Sequence, residues 1–185
     1  FRVYIQKESL KVVNKSHIVI GGIVYNCENY LNQVFENIKV ILTRFNSFHI
    51  VVYIDKGTDN SLNMLKQYKS LLTNMTIMEG KKSSKIRTKN ICIARNKVID
   101  YISKMHKMQP FHYFIIMDMD DVCSSKININ VFDEAIARSN EWDSLSFYKD
   151  PYYDIWALSY DPFIISIFHW EYDGVQKLQK LFMEK

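Results

Sequence analysis

Two aspartates, Asp118 and Asp120, have the residue type and spacing that most directly predict chemistry in this sequence. They follow the apolar run His112 to Met117, which is typical of a buried strand. Carboxylates at positions i and i+2 point to the same side of an extended chain, and they repel each other unless a cation or a proton lies between them. A divalent ion such as Mg²⁺ or Mn²⁺ takes one or two carboxylates and completes its shell with phosphate oxygens and water. The spacing therefore predicts a Mg²⁺ or Mn²⁺ site with Asp118 and Asp120 as ligands.

The acid pair alone leaves several functions open, and short Asp-x-Asp strings also occur in solvated surface turns. In a sugar transfer, the leaving nucleoside diphosphate gains negative charge, which a bound metal stabilises. In a haloacid-dehalogenase-like phosphatase, Asp118 is the nucleophile and Asp120 the acid/base. That class places the motif on its first strand, and few residues follow Val122 for its later motifs. A non-catalytic binding domain is the third alternative, although close acids are costly to keep without a cation.

The elements that position the acid pair are predicted as alternating strands and helices. Between the predicted strands, apolar residues recur at helical spacing, as they do from Leu31 to Leu42. This alternation predicts an α/β fold with a doubly wound, mostly parallel sheet flanked by helices. In such sheets, ligands bind beyond the carboxyl ends of the strands. The predicted strands are His17 to Tyr25, His49 to Ile54, Met75 to Met78 and His112 to Met117, and the loops that follow them start at Tyr25, Asp55, Glu79 and Asp118.

Other local patterns complete the prediction. Asn26 is a plausible N-cap of the first helix, with Glu28 in its first turn. The basic stretch Lys81 to Lys89 is interpreted as a solvated loop. The final third is predicted to contain a helix, an extended segment and an amphipathic closing helix, over Val131 to Ala137, Ser144 to Tyr148 and Val175 to Phe182.

The bulk properties predict one globular domain over residues 1–185 and exclude some partners. The net charge is only +4, and the sequence lacks the basic stripe of a nucleic-acid-binding protein. No apolar run has the length of a membrane span. Three separated cysteines show no metal spacing and fit a reducing compartment, so we expect a cytoplasmic protein. The first residue, Phe1, is compatible with a soluble piece of a larger or membrane-associated protein. The bias toward Ile, Lys and Asn indicates an AT-rich genome.

Four segments, taken in order, resemble the large inverting family of GT-A glycosyltransferases, the group similar to family 2. Ile23 to Leu31 resembles its first nucleotide-binding loop, and Asp55 to Ser61 resembles its second loop. Ala94-Arg95-Asn96 and Ile116 to Asp121 resemble its Ala-Arg-Asn helix and its Asp-x-Asp strand. The resemblance covers about Val19 to Val122. It implies a GT-A (Rossmann-like) fold and transfer of a hexose or deoxyhexose from a UDP- or GDP-sugar to a hydroxyl of a glycan or glycoprotein.

The same resemblance implies roles for individual residues around the donor. Asp55 accepts a hydrogen bond from a ring N–H of the base, and Asp120 ligates the metal most directly. Arg87 and Arg95 lie near the diphosphate or brace the Asp-x-Asp loop. The remaining residues assigned to the nucleotide-sugar cleft are Val24, Tyr25, Asn26, Asp118 and Met119.

The chain departs from the family pattern in two places. The second loop is one residue shorter than usual and carries Lys56 where an acid or glycine is common, which leaves the contact with the base open. The late Glu-Asp catalytic pair is not evident after Asp121, which leaves the catalytic base and the stereochemistry open.

A later aromatic segment supplies the candidate catalytic base. Tyr152 to Leu158 resembles a segment of capsule-type mannosyltransferases and related viral enzymes of the same fold, some of them retaining. Asp154 is the acid nearest to this aromatic cluster and is the candidate base, and Trp156 is assigned to the donor-sugar pocket. His169 is either a third metal ligand or a packed histidine between Phe168 and Trp170.

Overall fold

A computed structural model describes residues 16–147, and all the elements below belong to one compact unit. Strands and helices alternate, and both the α/β class and the four strands predicted from the sequence are confirmed. Two short 3-10 helices, Asp121–Cys123 and Ser139–Glu141, lie in the last part of this range. The main elements are β1 (His17–Val24), α1 (Glu28–Leu42), β2 (Ser47–Asp55), α2 (Ser61–Leu71), β3 (Met75–Gly80), α3 (Arg87–Met108), β4 (Tyr113–Asp118) and α4 (Ile129–Ala137).

The four strands form a parallel sheet in the order β3-β2-β1-β4. Strand β1 is central, and its continuous run of apolar residues is buried on both faces, as expected for a parallel sheet covered by helices. The register sets Ile23 beside Tyr53 on β2 and beside Asp118 on β4. Because all four strands run in one direction, their carboxyl ends lie along one edge, which we call the site edge.

Helices cover both faces of the sheet. On one face, side chains such as Ile18 and Ile20 pack with the buried faces of α1, α2 and α4. On the other face, Val19, Val51 and Tyr53 pack against Ala94, Val98 and Ile102 of α3. The structure is therefore a three-layer arrangement with a hydrophobic core on each side of the sheet.

Two adjacent glycines let the layers approach β1 closely. An added Cβ at Gly21 would stand 2.7 Å from Val98 Cγ1 on α3. An added Cβ at Gly22, on the other face, would overlap Met119. Gly21 therefore allows α3 to pack tightly, and Gly22 makes room for the residue between the two aspartates.

The last part of the described chain agrees only partly with the sequence prediction. The predicted helix at Val131 is confirmed as α4, and the Asn128 side chain caps it by accepting from the Asn130 amide. Residues 144–147 contain no strand, so the described part of the predicted extended segment does not belong to a sheet. The helix predicted at Val175 lies outside the described residues, and the prediction of a single domain over residues 1–185 stays a prediction. Within residues 16–147, no helix combines the length and the apolar character that crossing a membrane requires.

Candidate active site

The acidic turn, which we define as Asp118 to Asp121, follows β4 directly at the site edge. Asp118 is the last residue of the strand, and Asp120 Oδ1 accepts a hydrogen bond of 3.2 Å from the Val122 amide at the start of the 3-10 helix. Met119 points the other way and is only 1% exposed. The i and i+2 positions thus carry both carboxylates away from the core, with Met119 as the anchor between them.

The carboxylates of the turn are electrostatically coupled. Burial raises the pKa of the half-buried Asp120 carboxyl above its ordinary value, and the charges of Asp118 and Asp121 raise it further. The hydrogen bond from the Val122 amide and the positive charge of Arg87 lower this pKa without cancelling the rise. A cation placed at the turn would relieve this repulsion.

Helix α3 brings two guanidinium groups to the same corner. Arg95 Nη2 donates to Asp118 Oδ1 at 2.9 Å, and both side chains are partly exposed. Arg87 is the first residue of α3 and is close enough for its charge to act on Asp120. Arg95 therefore holds the acidic turn by a hydrogen bond to Asp118. Bracing this turn is one of the two roles that the family resemblance implied for Arg95, the other being a place near the diphosphate.

The loop after β1 differs from the prediction at Asn26. Cys27, not Asn26, is the N-cap of α1, so the capping role predicted for Asn26 is wrong. Asn26 has a left-handed backbone, with φ of 53°, and its side chain reaches the loop after β2. Its Oδ1 accepts from the Thr58 amide at 3.0 Å and its Nδ2 donates to Thr58 Oγ1 at 3.2 Å. Gly57 permits this contact, because a Cβ there would overlap Asn26 Oδ1.

The same two loops are joined by reciprocal hydrogen bonds. The Glu28 amide donates to Asp59 Oδ2 at 2.9 Å, and the Asn60 amide donates to Glu28 Oε2 at 2.5 Å. The Cys27 amide donates to Ser61 Oγ at 2.9 Å. Although burial alone raises the pKa of Asp59, the hydrogen bonds from Glu28 and Ser61 together lower it below its ordinary value. Asp59 is therefore an ionised acceptor at the start of α1, a role that only its position in space reveals.

Asp55 ends β2 with a carboxylate that is buried yet only partly used. The Tyr53 hydroxyl donates to Asp55 Oδ1 at 3.3 Å, and it lies where a Cβ at Gly80 would be. Among residues 16–147, Asp55 Oδ2 accepts no hydrogen bond. This oxygen can accept from a ligand N–H, which is the role that the family resemblance implies for Asp55.

The basic stretch after β3 is more structured than a solvated loop. Lys82 Nζ lies 3.4 Å from the ring centroid of Tyr25, whose side chain is exposed. Asn90, in the first turn of α3, accepts from the Ser83 and Ser84 amides at 3.2 and 3.0 Å, and donates to the Ser84 carbonyl at 2.7 Å. No sequence motif marks Asn90, whose role is visible only from the burial of its amide in an otherwise exposed helical turn.

The structure brings most of the predicted site residues to one edge of the sheet. Val24 and Met119 are buried there, so only their backbone atoms can reach a ligand. Asp154 and Trp156 lie outside the described residues. Residues 16–147 contain no cluster of three or more His, Cys, Asp or Glu side chains that could hold a metal ion without other ligands. The predicted residues that share the site edge are Tyr25, Asn26, Asp55, Arg87, Arg95, Asp118 and Asp120.

Comparison with known families points to the same kind of protein as the parallel sheet and the acidic turn. The family described as Glycosyl transferase family 2 matches residues 20–151. The chain belongs to glycosyl transferase family 2. Membership confirms the resemblance to GT-A glycosyltransferases and makes glycosyltransferase activity the coarse function of the chain. No curated protein matches the chain.

Family 2 membership also decides against the phosphatase alternative. In that alternative, Asp118 is a nucleophile on the first strand of its fold. Here Asp118 ends β4, the fourth strand within residues 16–147, and β1 carries no carboxylate. Both the topology and the family therefore favour a glycosyltransferase over a phosphatase.

Proposed function

We propose that the chain is a metal-dependent glycosyltransferase that moves a sugar from a UDP- or GDP-sugar to a hydroxyl of a glycan or glycoprotein. The observation that carries this proposal is the acidic turn, where Asp118 and Asp120 repel each other at the end of β4. Family 2 membership supports the class of reaction. The metal, the donor nucleotide and the acceptor are the parts that require experiment.

The residues of the acidic turn fit a divalent ion that shares its shell with the donor. Asp118 and Asp120 offer hard oxygen ligands, and the raised pKa of Asp120 marks a position where added positive charge is favourable. Mg²⁺ and Mn²⁺ suit one or two carboxylates together with phosphate oxygens and water, so a third protein ligand is not required. When bound, such an ion supplies the positive charge that stabilises a departing nucleoside diphosphate.

In this proposal, the other site residues bind and orient the donor. Tyr25 and Asp55 flank the nucleoside, and Asp55 Oδ2 accepts from a ring N–H of the base. Arg87 lies beside the diphosphate, while Arg95 holds Asp118. Both polar atoms of the Asn26 side chain bond to Thr58. In this proposal, Asn26 therefore acts indirectly, by fixing the shape of the two loops beside the nucleoside.

The catalytic base and the cellular location rest on the sequence alone. Asp154 is the proposed base that accepts the proton of the acceptor hydroxyl, and Trp156 is the proposed contact for the donor sugar. Both residues follow the described part of the chain. The three cysteines show no disulfide spacing, which supports a location in the reducing cytoplasm.

A thermal-shift panel with UDP-, GDP-, dTDP- and CMP-sugars, with and without Mn²⁺, tests the proposal. A donor at about 100 times its Kd should stabilise the chain by about 2.7 kcal/mol. Asp120→Ala should abolish the Mn²⁺-dependent part of the shift. Asp100→Ala removes the same charge from an exposed position on α3 and should leave the shift unchanged.

Two outcomes would contradict this function. The metal site is wrong if Asp120→Ala keeps the full Mn²⁺-dependent shift. If a donor binds but releases no nucleoside diphosphate, with or without acceptor glycans, the chain is a non-catalytic binding domain.

A further inference from the structure

Helix α1 has a buried carboxamide, Asn37, on its apolar face. Its neighbours Val34, Phe35 and Ile38 are fully buried, and Asn37 itself is only 7% exposed. Burying an amide among apolar side chains costs free energy unless its donors and acceptor are hydrogen-bonded. The contacts of Asn37 therefore show what this helix position holds in place.

All three hydrogen bonds of the Asn37 side chain go to the backbone that follows the acidic turn. Its Nδ2 donates to the Cys123 carbonyl at 2.9 Å and to the Ser125 carbonyl at 2.7 Å. Its Oδ1 accepts from the Ile127 amide at 3.1 Å. The backbone between the 3-10 helix and α4 forms no helix or strand of its own. The bonds to Asn37 therefore satisfy backbone groups that a helix or a sheet would otherwise pair.

The acidic turn is consequently fixed at both ends. At its start, β4 pairs with β1, with Asp118 opposite Ile23. At its end, the 3-10 helix runs into Cys123, which Asn37 holds. Between these ends, Asp120 caps the same 3-10 helix.

We propose that Asn37 is a positioning residue for the metal and diphosphate site, because it sets where the end of the acidic turn lies. This inference rests on the metal-dependent function proposed above. Mg²⁺ and Mn²⁺ sites need ligands in nearly fixed positions, and groups that orient metal ligands typically change metal affinity by about 10–100-fold when they are replaced. Asn37 touches neither metal nor substrate, so its effect acts through the backbone of the turn.

The test compares Asn37→Asp and Asn37→Leu with a control that loosens a different tie to α1. Asn37→Asp replaces two donations with repulsion toward the Cys123 and Ser125 carbonyls, and Asn37→Leu removes all three bonds at similar volume. Arg44→Met is the matched control, because Arg44, just after α1, makes a two-pronged ion pair with the buried Asp133 of α4. Mn²⁺ affinity is measured by calorimetry on the metal-free chain, and donor kcat and KM are measured separately.

We expect both Asn37 variants to bind Mn²⁺ at least about tenfold more weakly, whereas Arg44→Met lowers the Tm and keeps Mn²⁺ affinity within about twofold. Hydrogen exchange on the unaltered chain gives a second readout that needs no variant. Because linkage is reciprocal, Mn²⁺ should slow exchange at the Ile127 amide and leave the Arg138 amide at the end of α4 unchanged.

The inference is overturned if folded Asn37 variants bind Mn²⁺ as the unaltered chain does, or if Arg44→Met loses as much affinity. It is also overturned if Mn²⁺ binds and leaves exchange at Ile127 unchanged. A different result, in which the unaltered chain binds no Mn²⁺ with or without donor, overturns the proposed metal-dependent function itself.

Discussion

At the scale of single residues, Asp118 and Asp120 lie two positions apart and have different surroundings. The Asp118 carboxylate already has a cationic partner in Arg95, at 2.9 Å. The Asp120 carboxylate is half-buried, and burial together with the charge of Asp118 raises its pKa. Asp118 is thus oriented by the protein, whereas Asp120 gains most from an added cation. This difference agrees with the proposal that Asp120 is the more direct metal ligand.

Arg95→Met should separate orientation of the acidic turn from metal binding. The ion pair with Asp118 is partly exposed, so its loss should change the free energy of unfolding by less than about 1 kcal/mol. Donor kcat/KM should fall by about tenfold, because Asp118 loses the group that orients it. Mn²⁺ alone should bind at least as tightly, since the guanidinium no longer competes for the carboxylate. Chemical denaturation, donor kinetics and calorimetry measure the three quantities.

Arg138→Met is the control for Arg95→Met. It removes an ion pair with Glu141 of similar exposure, and neither residue belongs to the site edge. Donor kcat/KM should stay unchanged in this variant. An equal loss in both variants would show that Arg95 has no particular role at the acidic turn.

At the scale of elements, the acidic turn depends on how tightly Met119 packs on β1. The Met119 side chain occupies the space where Gly22 would carry a Cβ. Met119 lies between the two carboxylates, so any displacement of its side chain moves them together. Close packing between β1 and the turn is therefore a condition for the site geometry.

Gly22→Ala should disturb the site, whereas Gly21→Ala should disturb only stability. Both variants overpack the core, at a cost of about 1–3 kcal/mol each. At Gly22, the added methyl group displaces Met119 and should weaken Mn²⁺ binding. At Gly21, it meets Val98 at 2.7 Å and the side-chain ends of Ile102 and Ile116 at 2.9 Å, all on the face opposite to Met119. Denaturation and Mn²⁺ calorimetry on both variants make the comparison.

The double variant Gly22→Ala/Met119→Ala checks the cause of this effect. If Met119 is the obstacle, the second change should make the two losses of stability non-additive, because the cavity left by Met119 accepts the new methyl group. Strictly additive losses would mean that another contact of Gly22, such as the Met117 carbonyl, sets the cost.

The elements and the site edge were predictable from the sequence, and the ties between loops were not. Runs such as His17 to Val24 predict buried parallel strands, and parallel strands by themselves place Asp55 and Asp118 at one edge. Asn26 has the residue type and position of a helix cap, whereas its actual partner, Thr58, is 32 residues away along the chain. Local sequence carries no record of such contacts. The sequence pattern assigned Met119 to the nucleotide-sugar cleft, and it gave no sign that the side chain packs against Gly22.

At the scale of the whole molecule, the edge opposite the site carries histidines instead of acids. His17 starts β1, and its Nδ1 lies 2.7 Å from the Ser47 hydroxyl. His49 Nε2 lies 2.9 Å from Thr76 Oγ1, which in turn lies 3.2 Å from the Tyr101 hydroxyl. Burial lowers the pKa of both histidines; the neighbouring His112 lowers that of His17 further, and His17 lowers that of His49 further. The histidines that couple stability to pH therefore lie at the end of the sheet opposite the acidic turn.

These lowered pKa values predict that the chain loses stability in mild acid. The unfolded chain binds a proton at His17 and His49 near the ordinary pKa of 6.5, before the folded chain does. The free energy of unfolding is therefore highest above this pH and falls as the pH drops through it. His49→Gln keeps a polar partner for Thr76 and removes one titrating group. Its stability should fall less than that of the unaltered chain between about pH 7.5 and about pH 5, where histidine is the main side chain that titrates.

Denaturant unfolding of both chains at each pH measures this difference. For each chain, the free energy of unfolding at one pH is compared with that of the same chain at the other pH. At about pH 7.5, His49→Gln should be the less stable chain, because it loses packing between His49 and the Tyr101 ring, which are stacked with centroids 6.5 Å apart. Toward about pH 5 the gap should narrow, since only the unaltered chain has to keep the His49 ring neutral inside the fold. A gap that stays constant over this range would mean that His49 does not govern the acid response, which would then belong to His17 or to the carboxylates of the site edge.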